Sequence, residues 1–135
     1  MGHLVFSGVF DRYPSLKVVL AEFDVGWIAH TYQLANYAVD RSSSYDRDRN
    51  VQKLPPTDYL DRNLFFTFQD DRAGILTTEV FGRNNYLWAS DFPHGVTTWP
   101  YSQATVDRNF DGIDGDVKRL ICRENAIKLY RLNLD

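Results

Sequence analysis

Three short apolar runs limit how this chain can fold: Lys17-Val18-Val19-Leu20-Ala21, Leu64-Phe65-Phe66-Thr67-Phe68 and Tyr86-Leu87-Trp88-Ala89. The apolar residues of the first are continuous rather than alternating, as in a strand covered on both faces of a parallel sheet. The other two are read as buried strands of the same kind. Helical stretches separate them. After the first run Asp24 can cap a helix whose apolar stripe is Trp27, Ile28, Thr31, Leu34, Ala35 and Ala38. Leu54-Pro55-Pro56-Thr57 leads into a helical turn over Asp58–Asp61. A short helix over Gly74–Phe81 is stopped by Gly82 and Asn84-Asn85. Tyr101–Phe110 reads as helix, Gly112 and Gly115 break the chain, and a final helix spans about Asp116–Tyr130. Its stripe of Val117, Leu120, Ile121 and Ile127 is interrupted by Glu124, which needs a partner if buried. His3–Phe10 reads as the last turns of a helix, and the polar stretch Arg41–Asn50 as a surface excursion.

Alternating buried strands and amphipathic helices predict an α/β fold with a parallel sheet. Three strands are few for such a sheet, and its two outer strands would carry unpaired apolar edges. The 135 residues therefore read as a single partial domain, either one piece of something larger or a subunit completed by assembly. The expected partner is a second copy or another chain covering those edges.

Composition narrows the function class. With 44% hydrophobic and 24% charged residues, the chain has the makings of a packed core. Net charge is −3, and basic and acidic residues are interspersed, so there is no footprint for nucleic acid. No apolar run approaches the roughly 20 residues needed to cross a bilayer, and Met1-Gly2-His3-Leu4 does not read as a signal peptide. The lone Cys122 rules out an internal disulfide and fits a cytoplasmic protein.

In parallel α/β folds chemistry sits at the C-terminal ends of strands. That rule selects Glu22 and Asp24 after the first run, Gln69, Asp70 and Asp71 after the second, and Asp91 and His94 after the third. Asp91, in Ser90-Asp91-Phe92-Pro93-His94, is the sharpest. Such a carboxylate can bind a divalent ion or take a proton from metal-bound water; it can equally cap a turn. His94 fits a ligand, a general acid/base or a substrate contact, as well as a loop histidine bonded to backbone. Glu22 ends an apolar strand, where burial would raise its pKa and suit it to general-base work; an ion pair with an arginine is the alternative. Trp99 begins an aromatic loop that can wall a pocket. His3 and His30 read as structural histidines and Cys122 as a small buried residue. Ser42-Ser43-Ser44 lacks the glycines of a nucleophile elbow. No Gly-rich phosphate loop, paired CxxC or HExxH is present.

Several segments in order resemble the amidohydrolase-related proteins, relatives of aminocarboxymuconate semialdehyde decarboxylase. They are Ser7–Glu22, Gly26-Trp27-Ile28, Leu54-Pro55-Pro56, Arg62-Asn63, Ala89–His94, Thr98-Trp99-Pro100 and Glu124-Asn125-Ala126. The resemblance implies strands six to eight of a (β/α)8 barrel with a divalent metal, zinc or manganese, at its C-terminal mouth. It implies hydrolysis, hydration or non-oxidative decarboxylation of a small carboxylated or aromatic substrate. Asp91 falls where the family has its metal-site carboxylate at the end of the eighth strand. Glu22, read as a second catalytic carboxylate, stands where decarboxylase members carry a catalytic histidine. His94 and Trp99 are expected to contact substrate. The family's His-x-His pair and fifth-strand histidine belong to strands that precede this region. Catalytic zinc sites usually need three protein ligands, so this chain alone is expected to bind metal weakly or not at all and to be inactive. The alternative is a non-catalytic half-barrel that self-associates or completes a split barrel.

Overall fold

The computed structural model describes residues 1–41 and 52–134. Two short helices, α1 (Gly2–Phe6) and α2 (Val9–Arg12), precede strand β1 (Val18–Leu20). There follow α3 (Ile28–Asp40), α4 (Pro56–Asn63), β2 (Leu64–Phe68), α5 (Arg72–Leu76), β3 (Tyr86–Trp88) and α6 (Ser102–Asn109). The chain ends in α7 (Gly115–Arg119), a π-helical turn over Leu120–Glu124 and α8 (Asn125–Tyr130). Beyond Arg41, the expected surface excursion and the serine run lie outside the described residues.

All three expected strands form, in one parallel sheet of order β1-β2-β3. Val18 pairs with Leu64 and Leu20 with Phe66, while Phe66 pairs with Tyr86 and Phe68 with Trp88. Leu64, Phe66 and Phe68 of the central strand are fully buried beneath the helices, but Phe65 and Thr67 on the other face are only half-buried. All of β1 is half-buried. The reading of strands buried on both faces is thus corrected for β1 and β2, whose second face is only half covered among the described residues, while in β3 Tyr86 and Leu87 are both buried.

The covered face carries an aromatic core. Phe66 meets Phe81 and Tyr86 edge-on, with ring centroids 6.0 and 6.4 Å apart, and Phe68 packs against Tyr86 and Phe110. Val25, Ile28, Ile75, Val106, Val117 and Ile121 complete this layer. Tyr86 also donates a hydrogen bond to the carbonyl of Val25, at 3.3 Å, and burial raises its phenol pKa.

Several helices differ from expectation. Helix α3 starts at Ile28 rather than at Asp24, and its first residue has no side-chain cap. Its apolar stripe is only partly buried. Ile28 is inaccessible, whereas Leu34 and Trp27 are 45% and 41% exposed. Leu34, Ala35 and Ala38 instead line an apolar groove with Val5, Phe6 and Leu60. Helix α5 ends at Leu76, and turns carry the chain on to Gly82. The final helix contains the π-turn, where Glu124 is met by Arg123 at 2.7 Å. Cys122, in that turn, is half-buried, and burial pushes its thiol up to about 11.

Buried asparagines fix the N-terminal ends of the strands. Asn63 donates to the carbonyls of Pro14 and Leu16 ahead of β1. Asn85 donates to Leu60, Asp61 and Leu64 ahead of β2. Asn125 donates to Arg83 and to Tyr86 at the start of β3. These carbonyls fall where helices and loops turn into strands and have no ladder partner, so a buried amide satisfies them. The opposite end of the sheet is left for chemistry.

Candidate functional site

Glu22, just past β1, and Asp91 and His94, just past β3, converge at the C-terminal edge of the sheet. One oxygen or ring nitrogen from each lies within 4.8 Å of the others. His94 Nδ1 is 2.8 Å from Asp91 Oδ1 and 3.8 Å from Glu22 Oε1. The other carboxylate oxygen of Asp91 accepts a hydrogen bond from Gln69 Nε2 at 3.2 Å. Both Asp91 oxygens are thus fixed, and its side chain is only 10% exposed.

The supporting loop explains this geometry. The carbonyl of Ser90 accepts hydrogen bonds from Thr97 Oγ1 at 2.6 Å and from the Thr98 backbone at 3.1 Å, closing the segment between them. Within it the His94 amide donates to the Asp91 carbonyl at 2.9 Å, a turn that folds the imidazole back onto the carboxylate. Asp91 has φ 57° and Glu22 φ 63°, both in the left-handed region that costs a side-chain-bearing residue energy. Asp24 shares this conformation at φ 46°. A strand can end without such backbone; at Glu22 and Asp91 it accompanies side chains that meet at the sheet edge.

A second carboxylate positions the loop that carries Glu22. Asp71, after β2, accepts hydrogen bonds from Val25 N at 2.6 Å and Gly26 N at 2.5 Å, and from Gly74 N at 3.0 Å. It therefore caps α5 and at the same time pins the loop ahead of α3, which itself has no side-chain cap. Glu22 N donates to Thr67 Oγ1 on the central strand. Asp70 faces elsewhere, bonded to Arg108 and Asn109.

The structure brings Asp91, Glu22 and His94 together, as their strand-end positions suggested. It corrects the environment expected for Glu22, whose side chain is 54% exposed, so desolvation by an apolar strand end is absent. It pairs with no arginine in this cluster. Trp99 packs against Phe92 with ring centroids 5.5 Å apart, and both rings are about 60% exposed. With Tyr101 they make an open aromatic rim beside the cluster's loop. His3 and His30 are exposed and take no part in it, contrary to the structural role expected of them. Gln69 was visible only as a strand-end residue. Its bond to Asp91 depends on the lateral register of β2 and β3, which spacing along the chain does not encode.

Two carboxylates and an imidazole are hard and borderline donors that suit zinc or manganese. The three residues fit a divalent ion chemically, with Asp91 the most fixed and Glu22 and His94 the more adaptable.

The amidohydrolase family model matches residues 1–132. The chain belongs to the amidohydrolase family. Among solved members and neighbours, 5-carboxyvanillate decarboxylase from Sphingomonas paucimobilis is 26% identical, with a TM-score of 0.76 over 96% of this chain and 38% of its own. An amidohydrolase from Mycobacterium avium subsp. paratuberculosis is 24% identical, with a TM-score of 0.72 over 93% of this chain and 31% of its own. A dihydroxybenzoic acid decarboxylase from a Polaromonas species, solved with bound manganese and 2-nitroresorcinol, is 19% identical, with a TM-score of 0.76 over 98% of this chain and 39% of its own. The amidohydrolase chain described here thus spans less than two-fifths of each. Its three parallel strands and their helices are a section of the family's (β/α)8 barrel. No helix among the described residues is long and apolar enough to cross a membrane.

Proposed function

We propose that this chain, as a single partial domain, forms one side of the active site of a divalent-metal-dependent lyase or hydrolase acting on a small aromatic or carboxylated substrate. The observation that carries the reading is the convergence of Asp91, Glu22 and His94 at the catalytic edge of an amidohydrolase sheet section. Manganese in the solved dihydroxybenzoic acid decarboxylase supports the choice of metal.

Asp91 is the ligand in this scheme, because Gln69 holds one of its oxygens and its backbone is locked by the Ser90–Thr98 loop. A bound divalent ion supplies Lewis-acid polarisation of a substrate oxygen. His94, 62% exposed, offers a hydrogen bond or positive charge to a substrate carboxylate. Glu22 is free enough to accept a proton from water or substrate. Trp99 and Phe92 offer faces against which an aromatic ring can stack. Glu22 in place of the catalytic histidine of decarboxylase members keeps hydrolysis beside decarboxylation as the reaction. Metal affinity of the chain alone is expected to be weak, since two of its three donors are more than half exposed. The lone Cys122 supports a cytoplasmic setting.

Tryptophan fluorescence tests this reading. In the presence of Mn2+, hydroxybenzoates are expected to quench Trp99 with at least millimolar affinity. The quench should fall at least fivefold in Asp91→Asn. Quenching that is independent of both Mn2+ and Asp91 would count against the site.

A second reading is favoured by the sheet itself. Strands β1 and β3 each have one edge without a strand partner among the described residues, and one sheet face is only half covered. On this reading the chain self-associates or completes a barrel with another chain. Light scattering at micromolar concentration should then give a dimer or larger species; a clean monomer would remove the self-association arm.

A further inference from the structure

The N-terminal end of the sheet, opposite the Asp91 cluster, holds a cavity of about 310 Å3. Four cations line it: Lys17 just ahead of β1, Arg62 at the end of α4, and Lys128 and Arg131 at the end of the final helix. Among the described residues the only carboxylate in its wall is Asp61, which accepts a hydrogen bond from Tyr32 at 2.8 Å. This excess stands out because the chain as a whole is acidic, at net −3.

None of the four cations is neutralised by an ion pair among the described residues. Lys17 donates to the Arg62 carbonyl, and Arg62 donates to the Phe10 carbonyl and the Asn63 side-chain oxygen. Those acceptors are uncharged, and a charge felt by Arg62 outside the wall is Asp11, whose carboxyl it helps hold below the usual range after the Tyr59 hydrogen bond and Lys53. Arg62 is further held over the Tyr59 ring, 5.4 Å from its centroid. Half-buried Arg62 and the exposed Lys17, Lys128 and Arg131 thus share one cavity wall with a single carboxylate among its described residues. Like charges gathered along a concave wall focus their field into the cavity. Arg62 already spends Nε and Nη2 on Asn63 and Phe10, so Arg131 supplies the planar fork of donors that matches carboxylate and phosphate oxygens. Asn84 adds a neutral amide, and Phe65 gives the floor an apolar surface.

We propose that this cavity binds a small, multiply charged anion of the phosphate or polycarboxylate class. It is separate from the metal cluster: it lies at the N-terminal end of the sheet and shares no lining residue with the cluster of Glu22, Asp91 and His94 at the other end. Its success or failure therefore says nothing about the metal reading.

Calorimetric titration of the 135-residue chain, without metal and at low ionic strength, with inorganic pyrophosphate and separately with citrate, tests the proposal. One-to-one binding is expected for at least one of them. The double variant Lys128→Gln/Arg131→Gln should weaken it at least tenfold; both residues are exposed, and circular dichroism checks that the fold persists. Arg119→Gln/Arg123→Gln removes the same charge outside the cavity and should leave affinity within about twofold. Pyrophosphate alone would assign a phosphate site and citrate alone a polycarboxylate site. No binding of either anion, or an equal loss in the two double variants, overturns the proposal.

Discussion

Replacing Asp71 with Ala is expected to lower stability by about 3 kcal/mol and to release the loop that carries Glu22. The carboxylate accepts three backbone N–H bonds, two from the loop after β1 and one from the first turn of α5. Hydrogen bonds to a charged acceptor contribute roughly 1.5–3 kcal/mol each, and an N–H left without a partner adds its own desolvation cost. Asp71 is partly exposed, so water recovers much of this, and the total is set below the roughly 4.5 kcal/mol at the low end of the three-bond sum. Asp71→Asn keeps one oxygen acceptor and should lose less than half as much. Urea unfolding of the two variants gives the comparison. A loss under about 1 kcal/mol for Asp71→Ala would mean that packing, not this carboxylate, sets the loop.

Gly74→Ala should destabilise by about 2 kcal/mol although alanine favours helix. A Cβ at this position would lie 2.3 Å from Val25 Cγ2 and 3.0 Å from the Gly26 nitrogen. Val25 is fully buried, so neither its methyl nor the backbone behind it can retreat cheaply. Overpacking of this kind costs roughly 1–3 kcal/mol, with the upper part of that range suited to a backbone neighbour. The gain in helix propensity returns roughly 0.5–1 kcal/mol. Thermal or urea unfolding checks the sign: equal or higher stability would show that the two loops can separate freely. Because Asp71 and Gly74 press on the same Val25-Gly26 segment, the double variant should fall short of the summed losses.

These two residues also show where sequence reasoning reached its limit. Strand identity was legible because Val18–Leu20, Leu64–Phe68 and Tyr86–Trp88 are dense in β-branched and aromatic side chains. The parallel arrangement was legible because helices alternate with them. The strand-end rule then selected Glu22, Asp91 and His94, and the sheet order brings β1 and β3 close enough for them to meet across β2. What did not show in the sequence was lateral. Asp71 holds the Val25 amide of the loop ahead of α3, 46 positions earlier, while Asp24 lies too far ahead of Ile28 to cap that helix and has a left-handed backbone. Gln69 reaches Asp91 only because the two strand ends lie side by side. The exposure of Glu22 likewise follows from a sheet face that the described residues leave half open.

The central claim is that Asp91, with Glu22 and His94, holds a divalent metal, and paramagnetic broadening by Mn2+ tests it most directly. In the isotopically labelled chain, amides around Glu22, Gln69 and Asp91 to His94 should broaden first, at weak affinity, and Asp91→Asn should abolish that pattern without changing the fold. Broadening centred elsewhere, or left unchanged by Asp91→Asn, would contradict the assignment of this cluster as the metal-binding edge of the amidohydrolase section.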